Sequence, residues 1–280
     1  MNIFIIIASG ILGLIVGSFL NVVIYRFNTG KTLGGRSQCM SCRKVLSWYE
    51  LVPLFSFLVQ CGRCRNCRTK LSAQYFFVEL LTGIGFALVA LRYSDNIITL
   101  GALPALLFGF VLVAVIMVIM VYDMRHLIMP DPFVFLFIGL ALLQLFVPIF
   151  VGGDSWFVLP SWQALLVGIV IPLPFFILWL ISRGRWIGFG DIKFMIGMGF
   201  LLGISLGATA VIFSFWLGTI CIIIAYIFFA IRHMLSTRSL AGFDFQRIIG
   251  KEIPFAPFLI LATFAIFIFQ FNLFAFLTHF

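Results

Sequence analysis

Five of the six cysteines fall in one polar stretch, Asn28 to Ser72, and their spacing is that of metal ligands. They read Cys39-Met40-Ser41-Cys42 and Cys61-Gly62-Arg63-Cys64-Arg65-Asn66-Cys67, two C-x2-C knuckles about twenty residues apart. Such a knuckle brings two thiolates to one face of a tight turn, and four thiolates close a tetrahedron around Zn2+. Cys61 and Cys64 also make a C-x2-C pair, so five cysteines compete for four places. Cys39, Cys42, Cys64 and Cys67 are favoured because the two pairs are then flanked alike, each outer cysteine being followed soon by a basic residue. Disulfides are the alternative, and the cytoplasmic location argued below disfavours them, since thiols are kept reduced there. The sixth thiol, Cys221, lies in an apolar run and is expected to pack against neighbours.

The second chemical feature is the placement of carboxylates. The chain has only nine acids, and a carboxylate near hydrocarbon is costly unless it is paired or functional. Two stand out: Asp123 in Val121-Tyr122-Asp123-Met124-Arg125, and Asp191 in Gly188-Phe189-Gly190-Asp191-Ile192-Lys193. Two carboxyl groups brought together resist ionising simultaneously, so one keeps a proton while the other is charged. The charged member can take a proton from an attacking water, and the neutral member can donate to a forming oxyanion. The glycines before Asp191 suit a backbone that approaches an extended substrate or breaks a helix at membrane depth. Taken singly, each residue has a plainer reading: Gly-x-Gly-Asp is also a turn with an N-cap, Asp123 could pair with Arg125, and Asp131 before Pro132 reads as an N-cap.

The elements that must position these groups are apolar helices. Hydrophobic residues make up 63% of the chain and charged residues 10%, which excludes an ordinary soluble domain. A spanning helix needs roughly 20 mostly apolar residues, and uncharged runs predict eight spans, near 1–25, 73–92, 98–121, 132–150, 162–181, 191–204, 207–231 and 254–277. The run from Phe194 to Ile231 is too long for one span, and Gly203, Ser205 and Gly207 offer a place to turn. The first run lacks a basic n-region and a small-residue cleavage site, so it is expected to stay as a helix rather than serve as a cleaved signal.

With eight spans, the loops at 26–72, 122–131, 182–193 and 232–253 lie on one side and hold 17 of the 18 basic residues; Arg92 is on the other. The positive-inside rule makes that side cytoplasmic and puts both termini outside the cytoplasm. The net charge of +9 is thus a topology signal, and no nucleic-acid partner is expected. Asp123 and Asp191 both fall at the cytoplasmic boundary. The expected fold is an all-α polytopic membrane protein with a small zinc-ribbon-like cytoplasmic insert between helices 1 and 2. Its parts are a first helix over 1–26, the insert over 27–72 and a seven-helix portion over 73–280. Within the insert, Leu46 to Val59 is apolar, too short to span and interrupted by Pro53. It is expected on the membrane surface with Trp48 and Tyr49 at headgroup depth.

These residues together resemble the bifunctional type IV prepilin peptidases, membrane enzymes of the GxGD aspartyl protease group. The resemblance covers almost the whole chain. It is carried by Gly17-Ser18-Phe19-Leu20-Asn21 through Arg26, the two knuckles, Leu46-Ser47-Trp48-Tyr49-Glu50-Leu51-Val52-Pro53 and Val78-Glu79-Leu80-Leu81-Thr82-Gly83. It continues through Asp123 to Asp131, Gly188 to Lys193, and Ile253-Pro254-Phe255-Ala256-Pro257-Phe258. It implies a bacterial inner-membrane enzyme that cleaves the short basic leader from prepilins and pseudopilins of type IV pili and type II secretion, with Asp123 and Asp191 as the catalytic pair. It also implies N-methylation of the new terminus with S-adenosylmethionine, associated with the insert. No nucleotide-type Gly-rich loop follows a strand, so no residue is assigned to S-adenosylmethionine. The other reading is a transporter or channel in which Asp123, Asp191 and Glu79 mark an ion or proton path. A zinc-dependent scaffold would leave the two aspartates idle.

Overall fold

A computed structural model describes residues 3–30, 32–93, 102–148, 155–237 and 254–278. Helices α1 (Ile3–Arg26), α2 (Phe55–Val59), α3 (Gln74–Tyr93), α4 (Ala102–His126), α5 (Asp131–Phe146), α6 (Trp162–Val170) and α7 (Leu173–Ser182) come first in chain order. They are followed by α8 (Phe189–Thr237), α9 (Ala256–Phe269) and α10 (Leu273–Thr278). A 3-10 turn covers Trp48–Leu51. Among the described residues no strand forms, and β pairing is limited to two isolated bridges inside the insert, Gln38 with Val45 and Arg63 with Lys70. The all-α architecture with a cysteine-bearing insert between the first two long helices is as the sequence implies.

Five helical stretches are long and apolar enough to cross a bilayer: Ile3–Arg26, Gln74–Tyr93, Ala102–His126, Trp162–Ser182 and Phe189–Met234. Asp131–Phe146 and Ala256–Phe269 are apolar but shorter. The eight segments expected from the sequence each fall on one of these, because Phe189–Thr237 is broken at Gly203, where φ 76° and ψ 179° lie outside the helical region. Only glycine adopts that conformation without strain. The stretch 94–101, which includes the start of the expected third span, and most of the basic loop 232–253 lie outside the described residues.

The described residues pack as two units, Met1–Tyr122 with Pro130–Pro160, and Asp123–Met129 with Ser161–Phe280. In the first, α1 turns Ser9, Gly13, Gly17 and Asn21 inward, joined by Leu20, Val23 and Ile24 near its C-terminal end, while Phe4, Ile7, Ile11, Ile15 and Phe19 face out. This inverts the pattern of a soluble helix, because lipid replaces water outside and close backbone approach replaces hydrophobic burial inside. A Cβ on Gly13 would sit 2.7 Å from the Thr82 carbonyl oxygen, and one on Gly17 would sit 2.8 Å from the Glu79 Cα. Helices α1 and α3 therefore touch backbone to backbone. Phe86 of α3 stacks on Phe110 of α4 at 4.3 Å.

In the second unit, α8 packs on α6 and α9. Gly199 receives the Val167 carbonyl, and the ring of Phe200 lies over Gly168. The run from Leu46 to Val59 folds into a 3-10 turn and the short helix α2 with outward apolar side chains, Trp48 being 80% exposed. Ser47 and Glu50 close a capping box over its 3-10 turn. Two smaller expectations are corrected. Asp131 is not the N-cap of α5: Pro130 holds that position and Asp131 is the first helical residue. Cys221 does not pack inside but is exposed on α8, a placement that costs a small apolar thiol little in a lipid-facing helix.

Candidate functional site

Asp123 lies near the end of α4, following the apolar run that makes this helix. The helix stops three residues later because Leu127 turns left-handed, φ 55°, and sends its N–H back to the Asp123 carbonyl at 2.8 Å. Asp123 is only 6% exposed, and its Oδ2 is buried with no hydrogen-bond partner. A buried polar atom left in that state is costly, and such atoms concentrate where a substrate or solvent will engage them.

Asp191 stands in the first turn of α8, with its N–H donating to the Gly188 carbonyl at 3.2 Å. The chain reaches it through a left-handed Arg183 that caps α7 and a left-handed Gly184, followed by a short link. The flanking glycines have local reasons. A Cβ on Gly190 would lie 3.1 Å from the Met129 side chain, so glycine lets this segment close on the one that carries Asp123. A Cβ on Gly188 would lie 3.2 Å from Asp191 Oδ2, so glycine leaves space beside the carboxyl. Asp191 and Asp123 sit in the same packed unit and are near enough to interact coulombically. The Lys193 ammonium lies over the Phe189 ring, 5.2 Å from the centroid.

The cysteine cluster is built from two like turns. Cys39 N–H donates to the Lys44 carbonyl at 3.0 Å and Arg43 N–H to the Cys39 carbonyl at 2.9 Å. Cys64 N–H donates to Thr69 at 2.9 Å and Arg68 N–H to Cys64 at 2.9 Å. Arg43 and Arg68, the residues after each pair, are both left-handed, φ 57° and 60°, so the two turns share one backbone conformation. The sulfurs of Cys39, Cys42, Cys64 and Cys67 all lie within 4.8 Å of one another. Cys39 and Cys67 are 3.8 Å apart, and a tetrahedron with bonds of about 2.3 Å to zinc has edges of about 3.8 Å. Cys61 is exposed and outside the group.

The donor chemistry also fits a cation. The Thr69 hydroxyl, 3.3 Å from the sulfur, and then the Thr69 N–H hold the Cys67 thiol down to about 6. The Lys44 N–H and the Asn66 amide lower the Cys42 thiol. Both shifts raise the share of thiolate, the form that binds metal.

Glu79, buried in α3, accepts the Leu54 N–H at 2.8 Å and so ties the insert to the helix. Two contacts had no sequence signal beyond a polar residue in an apolar run. Asn21 is fully buried and donates to the carbonyls of Gly17 and Tyr75, and Arg26 donates to the carbonyls of Thr32 and Gly34, holding the start of the insert.

Comparison with known proteins covers both parts of the chain. Residues 11–93 match the family model of the bacterial peptidase A24 N-terminal domain, and residues 110–223 match that of the type IV leader peptidase family. A prepilin leader peptidase/N-methyltransferase from Bacillus subtilis is 31% identical over 212 residues, 75% of this chain and 79% of the relative. Proteins of the same name from Neisseria gonorrhoeae and Vibrio cholerae are each 30% identical. The first covers 77% of this chain and 80% of the relative, the second 70% and 76%. No solved structure matches the chain.

Proposed function

The chain belongs to the type IV leader peptidase family, and from that premise we propose that it cleaves the leader from prepilins and methylates the new N-terminus, with Asp123 and Asp191 as the hydrolytic pair. The observation that carries the reading is the meeting of two scarce aspartates in one packed unit, one with a buried, unpartnered oxygen.

The charged carboxyl takes a proton from water as the water oxygen attacks the scissile carbonyl. The neutral one donates to the developing oxyanion. Collapse of the tetrahedral intermediate passes a proton to the leaving amine, which becomes the N-terminus of the mature pilin. Burial of Asp123 keeps bulk water from screening these charges.

The chain is a multi-pass membrane protein whose family places it in the inner membrane. Loop charge supports a cytoplasmic face that bears the insert and both aspartates, with the termini on the opposite side. Substrates on this reading are prepilins and pseudopilins, each a short basic leader before an apolar helix. Residues 27–72 serve methyl transfer and residues 73–280 the hydrolysis. Cys39, Cys42, Cys64 and Cys67 hold one zinc ion, which gives an insert with little core of its own a fixed shape. S-adenosylmethionine supplies the methyl group when bound.

The test uses the full chain in lipid with a synthetic peptide that carries a basic leader and the start of an apolar helix. Mass spectrometry should find one cut at the junction and, with labelled S-adenosylmethionine present, label only on the new terminus. Cleavage at scattered bonds, or none, would contradict the assignment.

A further inference from the structure

The first packed unit contains a cavity of about 730 Å³, walled by the second half of α1, the insert and the first turns of α3. Its volume is in the range of small-molecule sites. Residues of the insert make much of the wall, and the zinc-ribbon residues Cys39 and Cys64 are part of it. Arg26 holds the loop on one side through the carbonyls of Thr32 and Gly34. The Glu79 contact with Leu54 holds the other side.

Three features of the lining identify a ligand class. Glu50 and Glu79 both line it, and each is only 7% exposed, in a chain with nine acids. Each carboxylate has one backbone N–H fixed on its Oε2, from Ser47 and from Leu54, both at 2.8 Å, so the groups are held in place. Tyr25 and Tyr75, also in the lining, stack with centroids 5.1 Å apart and planes 15° apart. Buried carboxylates call for a cation, and a flat aromatic wall takes a flat ring or a cationic centre over its face.

Resting on the methyltransferase reading, we propose that this cavity binds S-adenosylmethionine. Its ammonium and sulfonium are met by Glu50 and Glu79, and its adenine lies against the tyrosine wall. In the transfer, the lone pair of the neutral amine forms the N–C bond as the C–S bond breaks. The sulfur keeps that electron pair and becomes a neutral thioether, and the alkylated ammonium loses a proton to solvent. The zinc ribbon then has a mechanical purpose, since it holds the wall on which the ligand rests.

The test measures equilibrium binding of labelled S-adenosylmethionine and of S-adenosylhomocysteine, which lacks the positive sulfur, to the full chain in lipid. Wild type should prefer the sulfonium ligand. Glu50→Gln and Glu79→Gln, each confirmed to be monodisperse with zinc content unchanged, should weaken its binding roughly tenfold to a hundredfold, the worth of a charge-assisted contact. One of the two should also lose the preference over the thioether. Wild-type affinity in either variant, or equal loss for both ligands in both variants, would overturn the site. Methyl transfer by wild type is scored in parallel. If it is absent the methyltransferase reading fails, whereas transfer with unaffected variant binding refutes the cavity alone.

Discussion

Replacing Cys64 by serine should weaken zinc binding about a hundredfold, and replacing Cys61 should not. Cys61 and Cys64 belong to overlapping C-x2-C pairs, so sequence spacing alone does not separate them. The structure does, because Cys39, Cys42, Cys64 and Cys67 converge within 4.8 Å while Cys61 points into solvent. Structural zinc in small domains contributes about 10–16 kcal/mol, so one of four equal ligands is worth roughly 3 kcal/mol, or about two orders of magnitude in affinity. A serine hydroxyl is not ionised near neutral pH and does not restore the bond. The assay is metal analysis of purified protein after dialysis against a chelator of graded strength. Wild type and Cys61→Ser should retain one zinc per chain under conditions that strip Cys64→Ser. Loss of zinc from Cys61→Ser, or wild-type retention by Cys64→Ser, would refute the ligand assignment.

The α1 and α3 contact predicts that Gly17→Leu lowers the thermal midpoint, overpacking costing about 1–3 kcal/mol, because a Cβ there sits 2.8 Å from the Glu79 Cα. Gly139→Leu, where a Cβ meets nothing within 4 Å, should leave it unchanged, and equal midpoints in a fluorescence melt would contradict the packing. In zinc-free protein, Thr69→Val should slow alkylation of Cys67 severalfold near pH 7. Its pKa of about 6 keeps the thiolate dominant above that pH, and losing the hydroxyl moves the pKa back up, so less thiolate is present to react. The difference should vanish above pH 10, where both are ionised.

Much of this molecule was legible in its sequence because membrane burial leaves few polar residues to explain. The helices followed from uncharged runs, and the break at Gly203 from a run too long for one span. The convergence of Cys39, Cys42, Cys64 and Cys67 was legible through their matching flanks, and the two pairs do sit in equivalent turns with left-handed Arg43 and Arg68. What could not be read was packing. Spans this uniformly apolar carry little periodicity, so the meeting of α1 with α3 through Gly13 and Gly17 left only a spacing of small residues. Asp123 and Asp191 are distant in the chain, and their approach depends on Gly190 fitting against Met129, a contact with no local pattern. The position of Asp131 was missed by one residue because Pro130, just before it, already has the extended conformation of an N-cap.

The central claim is that Asp123 and Asp191 act as one hydrolytic pair. Its most direct test is the single-turnover cleavage rate of Asp123→Asn and Asp191→Asn on the leader peptide, with zinc content and binding of S-adenosylmethionine checked in the same preparations. Each variant should lose at least about a thousandfold in rate, with both of those properties intact. Cleavage near the wild-type rate by either one would contradict the pair.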